Sequence, residues 1–167
     1  MSGTNAGAAY AGLIADQLAE ERSRKTTLEA RGITVINTSG ALATLLFALT
    51  AGVTTAAKFR MPESSRLPLV LALAAFIFAA ACGLLTNVPF RYREPAAAGL
   101  ARLVATQYWS ASAEVGELRV AEAQVKALAA ARSANGLKVF LLLAAILFEL
   151  LAVIFLAWAI GTILYAA

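Results

Sequence analysis

From Gly32 to Ala57 the chain reads GITVINTSGALATLLFALTAGVTTAA, with no charged side chain between Arg31 and Lys58. At roughly 1.5 Å per residue, a helix of this length exceeds the ~30 Å hydrocarbon core of a bilayer. The run is polar and small for a spanning helix, since it holds Asn37, Thr38, Ser39, Thr44, Thr50, Thr54 and Thr55. Gly40, Thr44, Ala48 and Gly52 recur at every fourth position. That spacing predicts one stripe of small groups, which lets another helix approach closely in lipid. Gly32–Ala57 therefore reads as a membrane helix built to be packed against.

Two further apolar runs follow. Residues 67–90 form the second, and Ala75, Ala79, Gly83 and Asn87 again step by four along it. The loop 58–66, with Pro62 at its centre, turns the second span back beside the first. The two small stripes are expected to face one another, with Asn37 and Asn87 at similar depth. Residues 137–165 form the third span, with Trp158 and Tyr165 toward its far interface. With 60% apolar residues, 14% charged and a mean hydropathy of +0.75, the chain belongs to the integral-membrane class and is expected to form one compact unit.

The segments outside the spans read as helices. In residues 1–31, Tyr10, Leu13, Ile14 and Leu18 share one side. Glu20–Arg24 and Glu21–Lys25 are acid-first pairs at i,i+4. Thr26 and Glu29 fit a capping box, so the helix either restarts there or runs on unbroken. Residues 91–136 hold an Ala-rich helix, then Tyr108 and Trp109, with Ser110 or Ser112 placed to cap a second helix. Leu118, Ala121, Val125, Leu128 and Arg132 form a short coiled-coil-like seam there, to be paired with the N-terminal helix or with its own copy. Asn135-Gly136 marks a break or kink before the third span.

The fold class is thus all-α, an integral membrane protein with three transmembrane helices. An N-terminal cytosolic amphipathic helix precedes them, and a cytosolic helical section separates spans two and three. Of the fourteen Lys and Arg, eleven flank the spans on the side of residues 1–31 and 91–138, and three lie in the short loop. This asymmetry places the N-terminus in the cytoplasm and the C-terminus outside, in the inner (plasma) membrane. It also accounts for the +4 charge without nucleic acid as a partner. Arg22, Arg24, Lys25, Arg31, Arg91 and Arg93 set topology and touch anionic headgroups, or alternatively cradle an anion or nucleotide.

Glu149 is the one ionisable side chain deep within a span. It lies about twelve residues, or roughly 18 Å, into the third helix. A carboxylate there costs on the order of 2.5–3.5 kcal/mol on insertion scales. Depth counting sets Thr44 opposite it, and a Thr44 hydroxyl contact is expected. Glu149 either lines or gates a pathway, or glues helices or protomers together as a protonated acid.

Catalytic patterns are missing. The chain has no histidine, which excludes His triads and His metal sites. Its single cysteine, Cys82, has no disulfide partner. GTNAGAAYAG lacks both the preceding strand and the Gly-Lys-Ser/Thr of a phosphate loop. No enzyme activity and no cofactor is expected.

The whole layout carries a resemblance. A charged helix with RSRKTTLEARG leads into the Thr/Ser-rich span ITVINTSGALATLLFALTAGVT, and a hairpin, a cytosolic helical section and a final span follow. This order resembles the SLATT-type and Pycsar-type transmembrane effectors of cyclic-nucleotide-triggered phage defence. The resemblance implies homo-oligomerisation and membrane disruption after a cytosolic cyclic-nucleotide signal. The chain is also similar to bacterial integral membrane plasmid-transfer proteins, which implies instead a constitutive scaffold or accessory subunit. A small channel or transporter component is the third alternative.

Overall fold

A computed structural model of the chain describes residues 6–55, 62–89 and 112–166. They form three helices, α1 (Ala6–Thr55), α2 (Glu63–Asn87) and α3 (Ala113–Ala166), with no strand among the described residues. Each helix contains a stretch long and apolar enough to cross a membrane, as a multi-pass membrane protein requires.

α1 runs unbroken through Thr26. The hydroxyls of Thr26 and Thr27 donate back to the Ser23 carbonyl, at 2.8 and 3.1 Å, so they bond within a helix and do not cap a new one. α3 likewise passes Asn135-Gly136 without a break. Its start is where the sequence places a cap: the Ser112 carbonyl accepts from the N–H groups of Val115 and Gly116. α2 begins four residues before Leu67, because Pro62 opens it and Ser65 turns both its N–H and its hydroxyl onto the Pro62 carbonyl. The Ala-rich segment with Tyr108 and Trp109, Ser110, Arg91, Arg93 and loop residues 58–61 lie outside the described residues.

The chain divides into two compact units, residues 1–27 with 89–137 and residues 28–88 with 138–167, where composition pointed to one. The division follows chemistry. Most of the charge lies in the first unit and the charge-free runs lie in the second, so each buries its own kind of seam.

In the first unit α1 and α3 lie parallel. The inward positions of α1 are Ala11, Ile14, Leu18, Glu21 and Lys25, and those of α3 are Ala121, Gln124, Leu128, Ala131 and Asn135. Both sets alternate steps of three and four, the 3.5-residue repeat of a left-handed coiled coil. The seam includes Ala121 and Leu128, as the sequence suggests. Leu118 and Val125 are exposed, because Asn135 and Arg132 set the rotation of α3. The buried Asn135 amide donates to Glu21 Oε2 at 2.8 Å and to the Glu21 carbonyl at 2.9 Å. Arg132 reaches Gln17 at 2.8 Å and Glu21 at 3.6 Å. A polar pair inside an apolar seam fixes register at some cost in stability. Asn135→Ala, which leaves the Glu21 groups short of a donor, is expected to lower stability by about 1–3 kcal/mol. Chemical denaturation in detergent micelles measures this, and an unchanged midpoint would dismiss the role given to Asn135.

The second unit is a three-helix bundle with Ala-rich contacts. Ala79 packs with Val35, Leu142 and Ala145; Ala75 and Phe76 pack with Ala152, Leu42 and Ala43; Leu46 packs with Leu69 and Ala159. α1 and α2 are antiparallel and approach closely at Gly32 and Gly83. A Cβ at Gly83 would sit 3.0 Å from both the Gly32 carbonyl and Ile36 Cγ1. α1 and α3 run parallel. Their polar contacts join residues 109 to 111 positions apart, and at the lower end the fully buried Lys138 meets Glu29 at 2.5 Å.

The small-stripe expectation holds for one helix in its direction and not for the other. Ala75, Ala79 and Gly83 face inward, with Thr86 completing their row. Gly40, Thr44, Ala48 and Gly52 face outward and are exposed. The α1 surface that meets α2 and α3 is instead Gly32, Val35, Ser39, Leu42 and Leu46, again in steps of three and four. On α1 the every-fourth row of small residues lies on the opposite side of the helix from this inward row.

Candidate functional site

Glu149 is held by α1. α3 places it at an inward seam position between Ala145 and Ala152, half-buried, beside Phe148, whose ring packs on Phe78 with centroids 5.5 Å apart. Glu149 Oε1 lies 2.5 Å from the Thr38 hydroxyl and 3.4 Å from the Ser39 hydroxyl. Thr38 Oγ1 is also 3.1 Å from the carbonyls of Thr34 and Val35. It has one proton to give, so donation to the carboxyl competes with donation to its own helix. Ser39 is buried and Thr38 exposed, so the carboxyl sits at the edge of the bundle with one hydroxyl behind it and one at its rim.

Thr44 is not the partner. It is exposed, and its hydroxyl donates to the Gly40 carbonyl at 2.9 Å. The expectation aligned the charge-free boundaries, Gly32 against Leu137. The register is set instead by Lys138 reaching down to Glu29, which moves Glu149 about five residues, or roughly 8 Å, along α1. The two asparagines do not meet either. Asn87 is half-buried at the foot of α2, where its amide donates to the Gly83 carbonyl at 3.2 Å at the level of Gly32. Asn37 lies on the exposed face of α1.

The basic residues form no described cradle. Arg24 pairs with Glu21 at 3.8 Å, Lys25 lies on the inward seam, and Arg22 and Arg31 are exposed. An open cleft of about 490 Å³ lies between the start of α2 and the end of α3, lined by Ser64, Trp158, Gly161, Thr162 and Tyr165. Its walls offer hydroxyls and aromatic rings but no acid–base pair. Among the described residues no group of three or more Cys, Asp or Glu is placed to hold a metal.

Sequence reasoning singled out Glu149 and missed its partners, and it missed Glu21, Asn135, Glu29 and Lys138 as pairs. A signal was present. Leu18, Glu21, Lys25, Leu28, Gly32, Val35 and Ser39 keep one unbroken 3-4 spacing through the boundary at Arg31. No protein-family model, curated protein or solved structure matches the chain.

Proposed function

We propose that the chain is a non-enzymatic effector of the plasma membrane, which responds to a signal at its cytosolic helices by assembling with further copies or opening within the bilayer. The observation that carries this reading is the setting of Glu149. Its carboxyl lies within the most apolar run of the chain, half-exposed, with hydroxyls as its partners and no cation beside it among the described residues. Such a group costs on the order of 2.5–3.5 kcal/mol in hydrocarbon. A span that served only as an anchor would be more stable with leucine there. A protein whose bundle edge meets water or another protomer has a use for it.

The eleven-to-three distribution of basic residues supports cytosolic placement of residues 1–31 and 91–136. α1 and α3 each run unbroken from one unit into the other, which gives a signal at the first unit a backbone path to the spans. Cyclic nucleotides are the first signal to test, following the likeness in layout to phage-defence effectors.

The test is dye entry into bacteria expressing the chain, with and without a co-expressed nucleotide cyclase. Entry that depends on the cyclase, and that Glu149→Leu abolishes while leaving the protein in the membrane fraction, is the expected result. A Glu149→Leu protein as active as the parent would remove the role of the carboxyl. No permeability change under any cyclic nucleotide would leave the constitutive scaffold as the better description.

A further inference from the structure

The outer surfaces of the three spans differ in chemistry. α2 presents Val70, Ile77 and Leu84, and α3 presents Phe140, Leu147 and Ile154, all exposed and spaced by seven. These are side chains that lipid tails solvate well. The face of α1 opposite its buried seam presents Ala30, Asn37, Ala41, Thr44 and Ala48 at helical spacing, and every one of them is exposed. Beside them a Cβ added at Gly40 would meet no atom within 4 Å.

Two of the polar groups on this surface are content. Thr34 and Thr44 donate to the carbonyls of Ala30 and Gly40, at 3.1 and 2.9 Å. Asn37 is different. Its carboxamide is exposed, lies five residues past Gly32 within the charge-free run, and makes no hydrogen bond among the described residues. Facing lipid, such an amide loses the bonds it makes to water and gains none.

We propose that the Asn37 face of α1 is a self-association surface that takes the same face of a second copy of this chain. This rests on the membrane placement above and names the contact through which assembly proceeds. A carboxamide is both donor and acceptor, so an identical group satisfies it. Copies inserted in one bilayer share orientation and depth, and a rotation axis along the membrane normal therefore sets Asn37 opposite Asn37. A different partner would have to bring its own amide to that level. Ala41, Thr44 and Ala48, with Gly40 beside them, let two backbones approach closely enough for the amides to meet.

The experiment uses the full chain in bacterial membranes, with Cys82→Ala as background and single cysteines at Asn37, Ala41, Thr44 and Ala48, or at Val70 and Phe140 as controls. Oxidative cross-linking is expected to give covalent dimers from the α1 positions and few from the controls. Adding Asn37→Leu to the Thr44→Cys protein is expected to weaken dimerisation roughly three- to twentyfold, the range an interhelical polar contact supplies in lipid. Membrane-embedded protein that cross-links equally at Val70 and Phe140, or not at all at the α1 positions, would overturn this surface and leave the membrane reading standing. Recovery of the chain in the soluble fraction without detergent would overturn both.

Discussion

Glu29→Leu is expected to cost on the order of 3 kcal/mol, the usual penalty for removing one partner of a buried ion pair. Lys138 is fully buried and its ammonium lies 2.5 Å from Glu29 Oε1, while the Glu29 side chain keeps about a quarter of its surface exposed (27%). The asymmetry decides which partner matters more. Losing the lysine leaves a carboxylate that still reaches solvent, so Lys138→Met is expected to be milder than Glu29→Leu. Losing the glutamate leaves a cation in the interior with its nearest counter-charge gone. The double variant Glu29→Leu/Lys138→Met is expected to return to within ~1 kcal/mol of the parent, because apolar groups of similar volume replace buried pairs at little net cost. Denaturant titration of the four proteins in detergent closes the double-mutant cycle. Additive single effects would show that the two side chains do not act as a pair.

That pair also explains which parts of the structure were legible in the sequence. The three apolar helices were, because lengths of charge-free sequence translate directly into spanning capacity, and Glu149 stood out as the acid within them. Register was not legible. Depth counted from the last charge assumes that every charge stops at the same surface, and Lys138 does not: it is drawn inside the bundle by a carboxylate on α1. From that one displacement follows the wrong partner for Glu149. Rotation was hidden for a related reason. Gly40, Thr44, Ala48 and Gly52 form as good a small stripe as Ala75, Ala79 and Gly83, and nothing local says which is used inside the chain. The inward row of α1 is carried by Gly32, whose importance lies in Gly83 and Thr86 across the gap. Helix continuity through Thr26 and through Asn135-Gly136 is likewise a tertiary outcome. Seam contacts to Glu21 turn the break expected at Asn135 into a buried register contact.

Gly83→Leu is expected to prevent the second unit from closing, and Gly83→Ala to weaken it, whereas Gly40→Ala does neither. In each case two effects compete. Replacing glycine inside a helix gains about 1 kcal/mol of helix propensity for alanine. Overpacking a tight contact costs about 1–3 kcal/mol, and more for a larger side chain. At Gly40 the added Cβ meets nothing within 4 Å, so only the gain applies inside the chain. At Gly83 the Cβ meets a backbone carbonyl and the branched Ile36 side chain, both at 3.0 Å. The carbonyl belongs to a continuous helix and cannot swing aside. Relief requires α1 and α2 to separate, which opens the contacts of Val35 with Ala79. The cost wins there. Cysteine pairs placed at Val35 and Ala79 in the Cys82→Ala background report the crossing directly: efficient intramolecular disulfide formation is expected, together with loss of the folded fraction in Gly83→Leu by protease resistance in detergent. A Gly83→Leu protein as resistant as the parent would mean that α1 and α2 do not cross at these glycines. Gly40→Leu sharpens the contrast, since it leaves this crossing intact and reduces cross-linking between copies, separating the contact that closes the bundle from the one that joins two of them.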